Sequence, residues 1–409
     1  MEITPGNNLL RVKVSNQAAI RRIIYEYGPI TRAEIAEKLS LTIPTIATNI
    51  TSMIASGFLE EVPVPEGSSM SLGRRANAVN IVSSSGYFLG VEFRRQLRHL
   101  CLTDYRGEVI YSEVDSTDYP DYNDCMGNAC RMINKVLRSD IVPPDMIAGI
   151  GICLAGIIDP VNGTLGVHRQ TNWCNKNILE DVKRLTDYKG PVSVENNALA
   201  RAYGAQLFRK DLLRDIPSFI YLYIFNGIAS PLILNHSAML SNPVGPGEVG
   251  YMIIDPGRPR NELGSMGTLQ SLAGEIGIAN QCFEALKQGK APILKSICGG
   301  VVRPTFLQIL KAQEAGDPFS DEILLSAAFY LGIAVANVDN LIRPHSMLIE
   351  GRIFSNEKNR NHFLNTIREN QFRLTDTKTR LIFLDYDDYS GAKGAAAVAI
   401  RNNLELYIK

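Results

Sequence analysis

Glu195, Asn196 and Asn197 stand where an alternating apolar run, with Val192 and Val194, gives way to an Ala-rich run of helical character. In open α/β sheets ligands sit where the carboxyl end of a strand enters a helix. One carboxylate beside two amides can grip the hydroxyls of a polyol. Phosphoryl transfer would want a carboxylate base at such a junction, and this chain carries two amides there. The same residues also suit a plain helix start, because Asn is a favoured N-cap; the stretch alone supports both readings.

A second set of side chains points to nucleic acid. The spacing predicts a helix from Asn16 to Tyr27 stopped by Gly28-Pro29, and a second helix opening at Thr31 with Glu34 completing a capping box. A third is capped by Thr42 with Pro44 in its first turn. This third helix is expected to bury Ile46, Ile50 and Ile54 and to present Thr45, Thr48, Asn49 and Ser52 on the other face. Small alcohols and an amide can hydrogen-bond base edges or phosphates, whereas a merely solvated helix usually carries Lys and Glu there. A strand at Phe58 to Val62, a Pro/Gly/Ser-rich stretch reaching Gly73-Arg74-Arg75, and a returning strand at Ala78 to Val82 would form a wing. Residues 1–82 thus read as a winged helix-turn-helix with a linker. On the wing, Arg74 and Arg75 would neutralise phosphates or enter a narrow minor groove. The plainer alternatives are a three-helix protein-binding module and an arginine pair that is only solvated.

Composition narrows the classes. At 409 residues, with 45% apolar and 21% charged side chains, the chain has the make-up of a globular protein of two or three domains. Its net charge is zero, so any DNA binding must come from local charge, yet the first eighty residues hold only eight Lys and Arg against seven Glu. MEITPGNNLL lacks the form of a signal peptide, and no apolar run is expected to approach the roughly twenty residues needed to span a bilayer. A cytoplasmic protein without membrane partners is expected. The seven cysteines are scattered and form no CxxC pair, which fits reduced, structural thiols.

The elements that must position these residues read as α/β. YFLGVEF and HLCLTDY alternate like paired strands, with a hairpin turn at Tyr105 to Glu108. Strand and helix patterns then recur twice over, which predicts two lobes with a cleft between them. The lobes are expected to comprise residues 83–200 with 391–409, and residues 201–390.

Beyond these readings, the chain resembles the ROK family, which joins transcriptional repressors and sugar kinases on the actin-like, hexokinase-type fold. The residues that carry the resemblance are GRRAN at the wing, ICLAGIIDP, TNWCNKNILEDVKRLTDYKGPVSVENNA, GPGEVGYMIIDPG, LIRPHSMLIEG and SGAKGAAA, in that order over nearly the whole chain from Asn16. The attached helix-turn-helix resembles the repressor branch. The resemblance implies a sugar or sugar-derivative effector held by Asn172, Asn196, Asn197, Glu248, Tyr251 and Gln270. It further implies operator DNA bound by Thr42, Thr45, Thr48, Asn49, Ser52, Arg74 and Arg75, and a homo-oligomer, dimer or tetramer, reading paired half-sites.

The departures from the family pattern bear on catalysis. Family kinases carry an Asp-x-Gly-Gly-Thr phosphate loop where this chain has Glu92-Phe93-Arg94-Arg95-Gln96. The second, normally glycine-rich loop appears as Asn226-Gly227-Ile228-Ala229-Ser230-Pro231, and Asn197 replaces the Asp that serves as general base. The zinc signature is broken too: Tyr251 stands in place of its His, and residues 260–269 contain no Cys. The expectation is therefore a regulator and not an enzyme, without catalytic residues, cofactor or metal. An ATP-dependent sugar kinase is the alternative.

Overall fold

The computed structural model describes residues 7–64, 77–94, 96–168, 170–213, 216–239, 247–258, 267–372 and 379–405, with side chains from residue 12 onward. The chain divides into two compact units, residues 1–215 with 388–409, and residues 216–387. The expected lobe boundary at 200/201 falls inside a continuous helix, Asn197–Phe208, so that helix lies whole in the first unit.

The first unit begins with a three-helix head. Helices α1 (Asn7–Tyr27), α2 (Arg32–Leu39) and α3 (Ile43–Ala55) pack with a small antiparallel sheet of strands β1 (Ile30–Thr31), β2 (Leu59–Val62) and β3 (Ala78–Ile81), in the order β1-β3-β2. Helix α1 starts earlier than its apolar spacing suggested. Thr31 and Glu34 form the expected capping box, and Thr42 accepts a hydrogen bond from the Thr45 amide at the start of α3.

The body of this unit is a sheet of strands β4 (Tyr87–Arg94), β5 (Leu97–Asp104), β6 (Val109–Asp115), β7 (Ile147–Leu154) and β11 (Val192–Asn196), in the order β11-β7-β4-β5-β6. Strands β4, β7 and β11 run parallel, while β5 and β6 return antiparallel through the Tyr105–Glu108 turn. Between them lie helix α4 (Tyr122–Leu137), a three-stranded sheet of β8 (Ile157–Asp159), β9 (Thr164–His168) and β10 (Trp173–Asn177), and helix α5 (Ile178–Leu185). Helix α4 is capped by Asp121 and buries Cys125, Met126, Ala129, Cys130, Ile133, Val136 and Leu137, the i, i+4 stripe of an amphipathic helix. Trp173 packs against Phe93 and Tyr122, and its indole N–H donates to the Pro120 carbonyl at 3.1 Å.

Strand β11 feeds helix α6 (Asn197–Phe208). The face of the sheet opposite α4 is covered by the closing helix, Ser390–Glu405, whose Ala392, Ala395, Ala396, Ala397 and Ala399 are buried and whose Gly394 lies against Ala200 and Gly204 of α6. Glycines make this approach possible: a Cβ on Gly90 would lie 2.0 Å from the Ala392 carbonyl oxygen, and one on Gly151 would lie 1.8 Å from that of Ala395.

Head and body share one apolar core. Ile20, Ile24, Ile35, Ile46 and Ile50 of the head belong to the same cluster as Phe88, Tyr105, Ala396, Ile400 and Leu404 of the body, with Leu207 and Phe208 packed against it. Each large side chain buried there contributes about 2 kcal/mol. Tyr25 donates its hydroxyl to the Tyr105 carbonyl at 2.8 Å, Lys210 donates to the Tyr25 carbonyl, and the Phe58 and Tyr105 rings meet edge to face.

The second unit is built on a six-stranded sheet. Strands β12 (Phe219–Ile224), β13 (Ile228–Ala229), β14 (Leu232–Leu234), β15 (Ser237–Ala238), β16 (Ser346–Gly351) and β17 (Arg380–Phe383) run in the order β15-β14-β12-β16-β17, with β13 also paired to β12. Helices Leu269–Ala273, Glu275–Lys287, Phe306–Glu314, Pro318–Ile342 and Glu357–Asn370 surround its core. Against the expectation that no apolar run approaches a membrane span, Pro318–Ile342 is long and apolar enough to cross one by length and composition. Leu324, Ala327, Ala328, Leu331 and Val335 of this helix are buried in the unit's core, which accounts for its apolarity.

Candidate functional site

Helix α3 carries the candidate nucleic-acid face. Thr42, Ile43, Pro44, Thr48 and Ser52 are exposed, and Thr45 is half-buried. Asn49 does not line this face. It is 7% exposed and turned inward, with Nδ2 donating to the Thr45 carbonyl at 2.8 Å and Oδ1 buried without a hydrogen bond among the described residues. Positions 46, 49, 50 and 53 follow the i, i+3, i+4, i+7 spacing of one helix face, so packing Ile46 and Ile50 inward carries Asn49 with them. Ile54, expected in the core, is half-buried, and Met53 takes the inward position. Arg74 and Arg75 lie outside the described residues; the strands that lead to and from them, β2 and β3, pair antiparallel with Glu61 opposite Val79.

At the β11–α6 junction the structure shows how the three candidate side chains divide their work. Asn196 is the N-cap of α6: its carbonyl oxygen accepts from the Ala198 and Leu199 amides at 2.9 and 3.4 Å, and its Nδ2 donates to the Gly156 carbonyl at 3.2 Å. It satisfies the plain reading of a helix cap and still stands at the strand end. Asn197 begins the helix, half-buried, and its side-chain amide makes no hydrogen bond to the described residues. Glu195 is 9% exposed and accepts the Asn196 backbone N–H at 2.8 Å; burial pushes its carboxyl up to about 7, against the opposing pull of that N–H and of Arg401. Asn172 is an exposed turn residue between β9 and β10 with φ 57°, a left-handed geometry that Asn tolerates.

One turn along α6 sits a residue that the spacing did not single out. Arg201 donates to both carboxylate oxygens of Glu92, at 2.8 and 3.1 Å, and Arg94 donates to the same carboxylate at 2.6 Å. Burial alone would raise the Glu92 carboxyl, but Arg201 and then Arg94 outweigh it and hold it well below the usual carboxylate range. The closing helix starts against this cluster: a Cβ on Gly391 would lie 2.3 Å from the Glu92 carboxylate. The sequence signal was available, since Arg201 is the one charge in the Ala-rich run ALARAYGA.

In the second unit, Glu248 precedes a short 3-10 turn, Val249–Tyr251, which Tyr251 closes, and both are exposed. Gly250 of this turn presses onto the Ile228 carbonyl and the Gln270 side chain, at 2.5 and 3.1 Å from an added Cβ. Gln270 Oε1 also accepts the Ile228 N–H at 3.4 Å, so it braces the Asn226–Pro231 loop. Glu248, Tyr251 and Gln270 are thereby gathered around Gly250, and Asn196 and Asn197 are gathered in the first unit. Among the described residues no three His, Cys, Asp or Glu side chains converge.

A winged helix-turn-helix head joined to two α/β units of this topology defines a DNA-binding head on a sugar-kinase-like fold. Residues 88–402 match the ROK family, and the chain belongs to it. The match begins at Phe88, beyond the head. The chain is 27% identical over 377 residues to the DNA-binding transcriptional dual regulator NagC of Escherichia coli K12, covering 87% of this chain and 86% of that protein. It is 25% identical over 345 residues to the xylose repressor of Bacillus subtilis (strain 168), covering 84% and 83%. In fold it is similar to a ROK family transcriptional regulator homologous to the E. coli MLC protein, with TM-score 0.81 at 22% identity over 97% of this chain and 98% of that one. It is also similar to a ROK family glucokinase from Streptomyces griseus solved with glucose and AMPPNP, with TM-score 0.64 at 19% identity over 77% and 99%.

Proposed function

We infer that this chain is a sugar-responsive, DNA-binding transcriptional regulator, a repressor of carbohydrate-metabolism genes, whose ROK domain binds its effector without phosphorylating it. The observation that carries this reading is the course of α6. It begins at the amide cap Asn196 and ends about 18 Å away with Leu207 and Phe208 packed against the apolar cluster that head and body share. A ligand engaging Asn196 or Asn197 therefore acts on a helix whose far end borders the core shared with the head. The relatedness to NagC and to the xylose repressor supports the same assignment. The effector must bind one state of the protein better than the other; a tenfold change in DNA affinity needs about 1.4 kcal/mol of coupling.

The ligand contacts in this proposal are Asn172, Asn196 and Asn197 in the first unit, and Glu248, Tyr251 and Gln270 in the second on their own geometry. The DNA contacts are Thr42, Thr45, Thr48, Ser52, Arg74 and Arg75. Asn197 cannot take a proton at neutral pH, and the loss of a general base typically costs about a hundredfold to ten-thousandfold in rate. Glu92, held by two guanidiniums, is no free carboxylate for a metal–nucleotide complex. The proposal places the protein in the cytoplasm as a dimer reading two half-sites.

The experiment is DNA affinity, for duplexes from upstream of its own and neighbouring genes, across a panel of sugars and sugar phosphates, with ATP turnover measured in parallel. One compound is expected to change affinity tenfold or more, and no phosphorylation is expected. Affinity left unchanged by every compound at saturating occupancy would refute the effector; ATP-dependent sugar phosphorylation would make the protein a kinase. Arg74→Ala and Arg75→Ala are each expected to reduce the log–log salt slope of DNA binding by about 1.

A further inference from the structure

Ile43 is the first residue of α3 and is 57% exposed. It stands at the N-terminal end of the helix that, in helix-turn-helix proteins, brings its first residues to base edges. The hydroxyls around it make hydrogen bonds within the head and keep only their remaining donor or acceptor capacity for DNA. Thr42 Oγ1 caps the Thr45 amide at 3.4 Å and shares a hydrogen bond with Thr45 Oγ1 at 2.9 Å, and Thr48 Oγ1 donates to the Pro44 carbonyl at 3.0 Å. Asn49, the side chain best suited to a bidentate base contact, faces the core. Cations of the head are engaged as well: Arg22 with Glu26, Arg32 with Glu61, Lys38 over the Tyr27 ring and Arg21 over the Phe58 ring. Beside these hydroxyls the first turn of α3 offers an apolar surface outward, the Ile43 side chain and the exposed Pro44 ring.

The major groove has one apolar feature that identifies a base, the C5-methyl group of thymine. We propose that Ile43 is a specificity-determining residue that packs on the C5-methyl of a thymine in each half-site, so that the first turn of α3 reads sequence by apolar contact. The proposal rests on the DNA-binding reading above and adds to it the base and the atom that are read. An isoleucine there excludes water from the methyl, and a base without the methyl leaves a gap against the side chain.

The test uses the full-length protein to select duplexes from a randomised library. Each thymine of the selected site is then replaced in turn by deoxyuridine, which pairs identically and lacks only the methyl. The wild type is expected to lose about fourfold in affinity at one thymine of each half-site, the value of one buried methyl-sized group. Ile43→Ala is expected to bind with little discrimination between thymine and deoxyuridine there, and Ile43→Val to fall between. Thermal denaturation of both variants is expected to match the wild type, because the side chain is exposed. Wild-type binding that is indifferent to deoxyuridine at every position overturns the proposal, as does an Ile43→Ala protein that keeps the full fourfold discrimination; both leave DNA binding itself standing. Failure of the wild type to enrich any duplex overturns the DNA-binding reading and this proposal with it.

Discussion

Arg201 and Glu92, 109 residues apart in the chain, meet as a two-pronged ion pair with both side chains 1% exposed. The pair joins the helix that starts at the candidate ligand junction to the strand whose end carries a phosphate loop in the family's kinases. Arg94 closes the same carboxylate from the other side.

Breaking one side of a buried ion pair typically costs about 3–5 kcal/mol, because the remaining charge is left without a counter-ion. The two halves here are not equivalent. Glu92→Leu strands two guanidiniums and is expected to cost more than Arg201→Met, which leaves Arg94 to hold the carboxylate. Urea unfolding of both variants measures the difference, and equal costs would show that Arg94 contributes nothing.

Glu195 gives stability a pH dependence of defined sign. Its carboxyl is raised by burial from 4.5 to about 7 in the fold. The folded state therefore holds the proton more tightly than the unfolded chain. The associated stability is fully present below pH 4.5 and is lost as pH rises through about 7, with a span of roughly 3 kcal/mol. Glu195→Gln is expected to gain stability relative to the wild type between pH 5 and pH 8. Parallel pH profiles for the two proteins would show that Glu195 titrates normally.

Asn49 separates two roles for α3. With Nδ2 bonded only to its own helix and Oδ1 buried without a partner among the described residues, Asn49→Leu removes an unpaired polar group. The variant is expected to unfold within about 1 kcal/mol of the wild type or to be more stable, and to keep DNA affinity. A large loss of affinity at unchanged stability would return Asn49 to the DNA interface.

The seam between head and body is where a ligand signal would pass. Tyr25→Phe removes the hydroxyl that donates to the Tyr105 carbonyl while keeping the ring under Lys210. Leaving that carbonyl unsatisfied is expected to cost about 1–2 kcal/mol. Thermal stabilisation by the most effective sugar should persist, and the change in DNA affinity on adding that sugar should shrink. An undiminished sugar response would mean that this contact carries no coupling.

What the sequence determined by itself is what neighbours within one turn decide. Thr31 with Glu34, Thr42 with Thr45, the change from strand to helix at Asn196, and the Tyr105–Glu108 hairpin each follow from a few adjacent residues satisfying one another's backbone groups. The ordered motifs GRRAN, ICLAGIIDP, VENNA and GPGEVGY pointed to the family, and VENNA shows an amide, Asn197, after Asn196. Tertiary structure decided which of those residues face solvent and which distant partner each one finds. Asn49 is polar by sequence and buried because the isoleucines beside it fix the rotation of α3. Arg201 is a charge in an apolar helix, explained only once β4 brings Glu92 beneath it. The head looked like a separate domain of residues 1–82, yet its isoleucines share a core with Ala392, Ala396 and Ile400 of the closing helix, at the far end of the chain. Burial and ion pairing depend on the packing of segments far apart in the chain, and no local pattern records which segments will meet.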